Sequence, residues 1–116
     1  LPLSHAAYAV AAFGALGTLS KRARALVTGK RELAETWAAS LPNARWSAPS
    51  SGLFGMLTLP GRGDLRPRIE ELAKTSGVLV GAGSFFGAPE SFRLSWATCD
   101  VEKFRRGLEL IEPMCR

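Results

Sequence analysis

Arg93 is the residue with the clearest potential for chemistry, because it lies inside the apolar run Phe92-Arg93-Leu94-Ser95-Trp96. Successive side chains of a β-strand point to opposite faces of its sheet. We therefore expect Phe92, Leu94 and Trp96 to be buried on one face and Arg93 to point to the other. A planar guanidinium can hold a carboxylate by two parallel hydrogen bonds, which orients the ligand as well as binding it. Spacing alone, however, favours an ordinary solvated arginine on an open sheet face.

A glycine-rich stretch from Gly81 to Gly87 comes shortly before this strand. Such a stretch could form a phosphate cradle, but no predicted helix follows it whose N-terminus could hold the anion. We therefore interpret the stretch as a structural turn that positions Arg93.

No other set of side chains has a spacing typical of catalysis or of metal binding. The single histidine, His5, and the two cysteines, Cys99 and Cys115, lack the spacing of a zinc site. We expect no catalytic residue and no metal in the chain. The cysteines are most simply reduced thiols of a cytoplasmic protein, and a disulfide between them is the alternative.

Composition and charge limit the partners of the chain. It has 116 residues, of which 47% are hydrophobic, and a net charge of +5, so one modest domain is expected. The basic residues cluster between Lys21 and Arg31, but no aromatic residues alternate with them to form a surface for stacking bases. We interpret this cluster as a solvated helix face and expect no nucleic-acid partner. The apolar stretch from Ala6 to Leu16 is shorter than the ~20 residues that span a bilayer, so no membrane partner is expected.

Two helical segments are predicted before Pro42. Ser4 can cap a first helix that continues to about Ala12, and a break is expected near Gly17-Thr18. A long helix is predicted over residues 19–41, because apolar residues recur there at three- and four-residue steps. Gly29 is a candidate for a bend in it.

The pattern after Pro42 predicts strand, helix, strand, strand and helix. The strands fall at residues 53–59, 78–80 and 92–97, and a further short strand is an option at residues 45–47. Asp64 and Asp100 are the expected N-caps of the two helices, the second of which should bury Val101. The predicted fold class is α+β, a small, mostly antiparallel sheet with helices on one face, preceded by a long linking helix.

Several motifs together resemble one enzyme family. They are Pro49-Ser50-Ser51-Gly52-Leu53-Phe54, then Leu59-Pro60, then the segment Gly77 to Gly87, then Phe92-Arg93-Leu94-Ser95-Trp96-Ala97. Their order is similar to that in the C-terminal small domain of class I and II aminotransferases, which have the aspartate aminotransferase fold and depend on pyridoxal phosphate. The resemblance implies that Arg93 binds the α-carboxylate of the substrate. The chain departs from the family at Ser51 and Ala82, which replace a glycine and a proline.

The resemblance also implies a domain organisation. Residues 1–18 would be a terminal helix of a large domain that is otherwise missing, residues 19–41 the interdomain linking helix, and residues 42–116 the small domain. Since the chain begins with Leu1 rather than methionine, we expect it to be cut from a longer polypeptide.

The missing large domain would supply most of the pyridoxal phosphate site, including the lysine that forms the Schiff base. Thr18-Leu19-Ser20-Lys21-Arg22 has a similar lysine motif, but Lys21 opens an amphipathic helix and lacks the glycine-rich run that follows the family's lysine. We therefore expect no cofactor-binding residue here, and no activity from the isolated chain.

The function implied is that of an aminotransferase fragment in amino acid metabolism. Its partners would be amino-acid and 2-oxo-acid substrates, the rest of the enzyme and a second subunit of a homodimer. Two alternatives stay open: a small domain of a decarboxylase, lyase or synthase of the same fold, and a non-catalytic basic interaction domain.

Overall fold

The computed structural model describes residues 2–116, which form five α-helices, four β-strands and one short 3-10 helix. In chain order these are α1 (Leu3–Gly14), α2 (Leu16–Val27), α3 (Lys30–Ser40), β1 (Arg45–Ser47), β2 (Phe54–Thr58), α4 (Arg66–Ser76), β3 (Gly81–Ala82), the 3-10 helix (Gly83–Phe86), β4 (Ser91–Ser95) and α5 (Val101–Cys115).

The four strands form one sheet in the order β1-β2-β4-β3, and every neighbouring pair is antiparallel. The central pair is β2 with β4, in which Leu57 lies opposite Phe92 and Met56 lies opposite Arg93. Gly81 of β3 faces Arg93 from the other side. The predicted α+β class, with its antiparallel sheet, is confirmed.

One face of this sheet lines the hydrophobic core. Leu57, Phe92 and Leu94 are buried on it, as strand alternation predicts. Helices α3, α4 and α5 contribute further core side chains: Ala34 and Ala38 of α3, Ile69 of α4, and Phe104, Leu108, Ile111 and Cys115 of α5. These three helices therefore pack on the core face, and the opposite face, which carries Arg93, is left open.

Two tryptophans anchor one end of the core. The rings of Trp46 and Trp96 lie 6.1 Å apart, and Trp96 is fully buried. Its indole N–H donates a hydrogen bond to the Gly52 carbonyl oxygen at 3.2 Å. A Cβ atom at residue 55 would lie 2.5 Å from the Trp46 ring, so glycine at that position lets the indole lie flat on β2.

The long helix predicted over residues 19–41 is confirmed as a bent helix, with its bend at the candidate position. The segment divides into α2 and α3 at Thr28-Gly29, where Gly29 has φ +82°. Such a left-handed conformation interrupts helical hydrogen bonding and favours glycine. The first break lies at Ala15 rather than at Gly17-Thr18, and Ser4 lies inside α1 rather than capping it.

These N-terminal helices differ in how they are held. Neither α1 nor α2 has a buried residue, whereas α3 buries Lys30, Ala34 and Ala38. Among residues 2–116, no single helix is long and apolar enough to cross a membrane. The segments Leu3–Gly14 and Leu16–Ser40, bent by 78°, pass that test as a pair on length and composition alone.

Two further local predictions need correction. The strand expected at residues 78–80 lies instead at Gly81–Ala82, because only those residues pair with β4. Val101 is 41% exposed rather than buried. The Asp100 cap is confirmed, since its carboxylate accepts a hydrogen bond from the Lys103 backbone N–H at 2.8 Å. The Asp64 carboxylate accepts one from the Arg66 N–H, but the capping residue itself is Leu65.

Candidate functional site

Arg93 lies at the centre of the open sheet face. It occupies the middle of β4, between Met56 of β2 and Gly81 of β3. Its neighbours Phe92 and Leu94 are buried on the other face, while Arg93 itself is half-buried. The predicted direction of the side chain is therefore confirmed.

Two phenylalanine rings stack on the Arg93 guanidinium. Its Cζ atom lies 5.2 Å from the ring centre of Phe54 and 5.3 Å from that of Phe86. Phe54 belongs to β2, and Phe86 ends the 3-10 helix. Both distances are within the range of a cation–π interaction.

The glycine-rich stretch acts as the structural support of this arrangement. A Cβ atom on Gly83 would collide with the backbone carbonyls of Ala88 and Ser91, so glycine is required for the chain to fold back on itself there. Gly87 then ends the 3-10 helix with φ +73°. The result is that Phe86 is placed against Arg93, which agrees with our interpretation of the stretch as a positioning turn.

Residues 2–116 leave the charge of the Arg93 guanidinium uncompensated. Arg93 forms no ion pair with any residue between 2 and 116. Its Nε atom is buried and has no hydrogen-bond partner in the same part of the chain. A half-buried cation of this kind attracts an anion, and a planar acid can bind its remaining N–H groups in pairs.

A cavity of 580 Å³ adjoins Arg93 at the edge of the sheet, between the segment 77–81 and α5. Its walls are largely apolar, and two of its lining residues, Arg93 and Lys103, carry positive charge. This cavity lies on the α5 side of the sheet, whereas Phe54, Phe86 and the Arg93 guanidinium meet on the opposite face.

The positions of Lys21 and Lys30 do not suit the formation of a Schiff base. Lys21 is exposed on α2, whereas a Schiff-base lysine needs a buried pocket that aligns it with the cofactor. Lys30, which the sequence pattern places on a helix surface, is 5% exposed, and its Nζ atom donates a hydrogen bond to the Cys99 carbonyl oxygen at 2.6 Å. Its role is to tie the start of α3 to the loop before α5. Neither lysine fits a cofactor aldehyde.

Both cysteines are free thiols, so the alternative of a disulfide between them is wrong. Burial raises the pKa of the Cys115 thiol from 9.0 to about 12, which keeps this thiol protonated and unreactive at neutral pH. No group of three or more His, Cys, Asp or Glu side chains in the described part of the chain could hold a metal ion.

Sequence reasoning alone missed the two aromatic contacts of Arg93. Phe54 and Phe86 are far apart in the chain and come together only because β2 and β3 both pair with β4. The available signal was weak: both phenylalanines lie in the turn motifs that carry the resemblance to the enzyme family.

Comparison with known proteins identifies the fold but gives no match by sequence. No protein-family model matches this chain, and no curated protein does. Among solved structures, a PLP-dependent aminotransferase from Streptococcus suis matches 88% of the chain with a TM-score of 0.78 and 20% identity. An archaeal alanine:glyoxylate aminotransferase matches 77% of the chain with a TM-score of 0.69 and 26% identity.

An α-aminoadipate aminotransferase from Thermus thermophilus, complexed with N-(5'-phosphopyridoxyl)-L-leucine, matches 88% of the chain with a TM-score of 0.72 and 21% identity. The chain spans only about a quarter of the length of these enzymes: 27%, 23% and 28% respectively. Its fold is therefore that of a part of PLP-dependent aminotransferases, which confirms the resemblance found in the sequence.

Proposed function

We propose that this chain is the small-domain part of a pyridoxal-phosphate-dependent aminotransferase, and that Arg93 binds the α-carboxylate of its amino-acid and 2-oxo-acid substrates. One observation carries the proposal: Arg93 is held on the open face of the sheet between two aromatic rings, with no carboxylate partner in residues 2–116. The solved aminotransferases that share the fold support the assignment to this enzyme class.

Arg93 would act by binding and orientation. Two parallel N–H···O bonds to a carboxylate fix both its position and its plane. This restricts how the rest of the substrate can lie. Correct orientation accelerates a reaction because the loss of translational and rotational entropy has already occurred on binding. A lysine would provide a point charge without this geometry.

The cofactor is assigned to residues outside this chain. Pyridoxal phosphate supplies the electron sink of the reaction when it is bound. Lys21 is exposed and Lys30 is engaged by the Cys99 carbonyl, so neither residue fits a role in holding it. We therefore propose that the chain alone is inactive and forms no absorbing adduct when mixed with the cofactor. An absorbance band that appears in stoichiometric amount and is lost in Lys21→Ala would contradict this.

The proposed division of the chain follows from its resemblance to the aminotransferase small domain. Residues 1–18 would belong to a large domain, residues 19–41 would link the two domains, and residues 42–116 would form the small domain. Exposed apolar side chains on α1 and α2 support contacts with the rest of a homodimeric, cytoplasmic enzyme: Leu3, Tyr8, Val10, Phe13, Leu16, Leu19 and Leu26. No nucleic-acid or membrane partner is part of the proposal.

The test is Arg93→Ala, with Arg93→Lys beside it, in the polypeptide that joins this chain to a cofactor domain. We expect kcat/KM for amino-acid substrates to fall by about a hundredfold or more in Arg93→Ala, because the substrate loses a charge-assisted pair of hydrogen bonds. Each factor of ten corresponds to about 1.4 kcal/mol of transition-state binding. Arg93→Lys should recover little of it. Thermal melts should be unchanged. Near-normal activity in Arg93→Ala would remove the proposed role, and a collapsed melt would make the residue structural.

The type of reaction is a separate question, because the same fold also supports decarboxylases, lyases and synthases. Product analysis of the intact enzyme with an amino acid and a 2-oxo acid decides between them. Transfer of the amino group to the 2-oxo acid supports the proposal, and release of carbon dioxide or of a side-chain fragment supports the alternative.

A further inference from the structure

The two rings that flank Arg93 are themselves unusual, because both are large, apolar and exposed. Phe54 is 45% exposed and Phe86 is 55% exposed. Neither belongs to the hydrophobic core, so core packing does not explain their positions. What they share is the Arg93 guanidinium, at 5.2 and 5.3 Å from the two ring centres.

Gly81 of β3 makes a third contact with the Arg93 side chain. Gly81 faces Arg93 across the β3–β4 pair, and a Cβ atom on Gly81 would lie 3.5 Å from the Arg93 Nε atom. The arginine side chain therefore lies directly over the glycine backbone. Since Nε is also buried, the part of the guanidinium available to a ligand is its outer edge with the two Nη groups.

We infer that Phe54 and Phe86 are positioning residues, which fix the plane of the Arg93 guanidinium so that it binds a planar acid end-on through its two Nη groups. That this acid is a substrate carboxylate rests on the proposed function. Phe54 approaches the guanidinium from β2 and Phe86 from the 3-10 helix after β3, and two such ring contacts restrict its rotation. A flat carboxylate that lies in the plane of the guanidinium then makes two hydrogen bonds, while a spherical anion gains nothing from the alignment.

The chain contains its own control for this inference. Phe85 is adjacent to Phe86, is 69% exposed, and stacks on a different arginine, Arg66, at 5.0 Å. Phe85→Leu thus removes the same kind of ring from the same turn without touching Arg93. Any general effect of losing an exposed phenylalanine should appear equally in Phe85→Leu and Phe86→Leu.

The experiment uses the full 116-residue chain with isotope-labelled arginine. Nuclear magnetic resonance measures the rate of rotation of the Arg93 guanidinium, and titrations with acetate and with chloride measure anion binding at its resonances. We expect Phe54→Leu and Phe86→Leu to raise the rotation rate and to weaken acetate binding by about threefold to tenfold, consistent with the loss of one cation–π contact. Chloride binding should change little, and Phe54→Trp, which keeps a ring, should restore acetate binding.

Two outcomes would overturn the inference: equal rotation rates in Phe86→Leu and Phe85→Leu, or equal loss of acetate and chloride binding in the Phe54 and Phe86 variants. Thermal melts identify any leucine variant that fails to fold. In that case the rotation rate and the acetate affinity are measured in Phe54→Trp and Phe86→Tyr, which replace one aromatic ring by another. If wild-type Arg93 shows no preference for acetate over chloride, the proposed carboxylate role fails. The rotation rates still decide whether the rings hold the guanidinium.

Discussion

Gly81 and Arg93 face each other across the β3–β4 pair so closely that a Cβ atom on Gly81 would lie 3.3 Å from the Cβ atom of Arg93. This separation is tighter than most contacts between side chains. The absence of a side chain on Gly81 is therefore what allows the arginine to lie across the edge of the sheet.

We expect substitution at Gly81 to displace Arg93 in proportion to the size of the new side chain. Gly81→Ala should have a small effect. Gly81→Val should weaken acetate binding at Arg93 severalfold, because valine adds two methyl groups to a Cβ atom that already lies 3.3 Å from the Arg93 Cβ and 3.5 Å from its Nε. The strand itself should tolerate valine, which favours extended backbone. The same titration checks this, with Gly17→Val as the control, since a Cβ on Gly17 meets no atom within 4 Å. Equal affinity in Gly81→Val and the wild type would contradict the expectation.

Lys30→Met should destabilise the fold by about 1–3 kcal/mol, because it leaves the Cys99 carbonyl oxygen without its hydrogen bond. Urea unfolding measures the change in free energy. Lys21→Met is the matched control, since Lys21 is exposed on α2 and should change stability by no more than about 0.5 kcal/mol. Similar losses in the two variants would show that the Lys30 hydrogen bond does not stabilise the fold.

The stability of the fold should decrease at high pH through Cys115. Burial raises the pKa of this thiol from 9.0 to about 12 in the folded chain. Below pH 9 the thiol is protonated in both states and contributes no pH dependence. Above pH 9 it ionises only in the unfolded chain, so the free energy of unfolding falls by about 1.4 kcal/mol per pH unit until the folded pKa is reached.

Cys115→Ala isolates this effect from the other groups that titrate in the same range. Its free energy of unfolding should be lower than that of the wild type at pH 8, because a buried side chain is shortened. The difference in the free energy of unfolding between the wild type and Cys115→Ala should be about 1.4 kcal/mol smaller at pH 10 than at pH 8. A gap that stays constant with pH would mean that the folded thiol ionises as readily as the unfolded one.

Hydrogen exchange should separate α3 from the two helices before it. The family resemblance predicts that residues 4–41 are poorly anchored when the large domain is absent, but Ala34 and Ala38 of α3 are buried, so this prediction is now limited to α1 and α2. We expect the amides of α1 and α2 to exchange at rates close to those of an isolated helix, which is marginally stable. Amides of α3 should be protected nearly as well as those of β2. Equal protection of α1 and β2 in a monomer would contradict this.

The sequence predicted the features that depend on neighbouring residues better than the features that depend on contacts between distant segments. The direction of Arg93 follows from the period of two in a strand, and the Asp100 cap follows from its own side chain, so both were predictable. The break at Gly29 was only a candidate, because a glycine inside a helical pattern can be either tolerated or left-handed. The position of β3 depended on pairing with β4, which local propensity does not encode.

The same distinction applies to the candidate site. Arg93 was identified from its strand and its flanking motifs, but its contacts with Phe54 and Phe86 join three separate segments of the chain. Likewise, the burial of Lys30 depends on where the loop of Cys99 passes over the start of α3. Contacts of this kind require the folded arrangement.

The placement of the tryptophans has a consequence for anyone who follows the folding of this chain by optical methods. Trp37, Trp46 and Trp96 all lie after Gly29, while α1 and α2 contain no tryptophan. Indole fluorescence therefore reports only on the sheet and the helices packed against it, whereas far-ultraviolet circular dichroism also counts the two unburied helices. The two signals should give different melting curves, and that mismatch would reflect early fraying of α1 and α2 rather than an intermediate in the folding of the core.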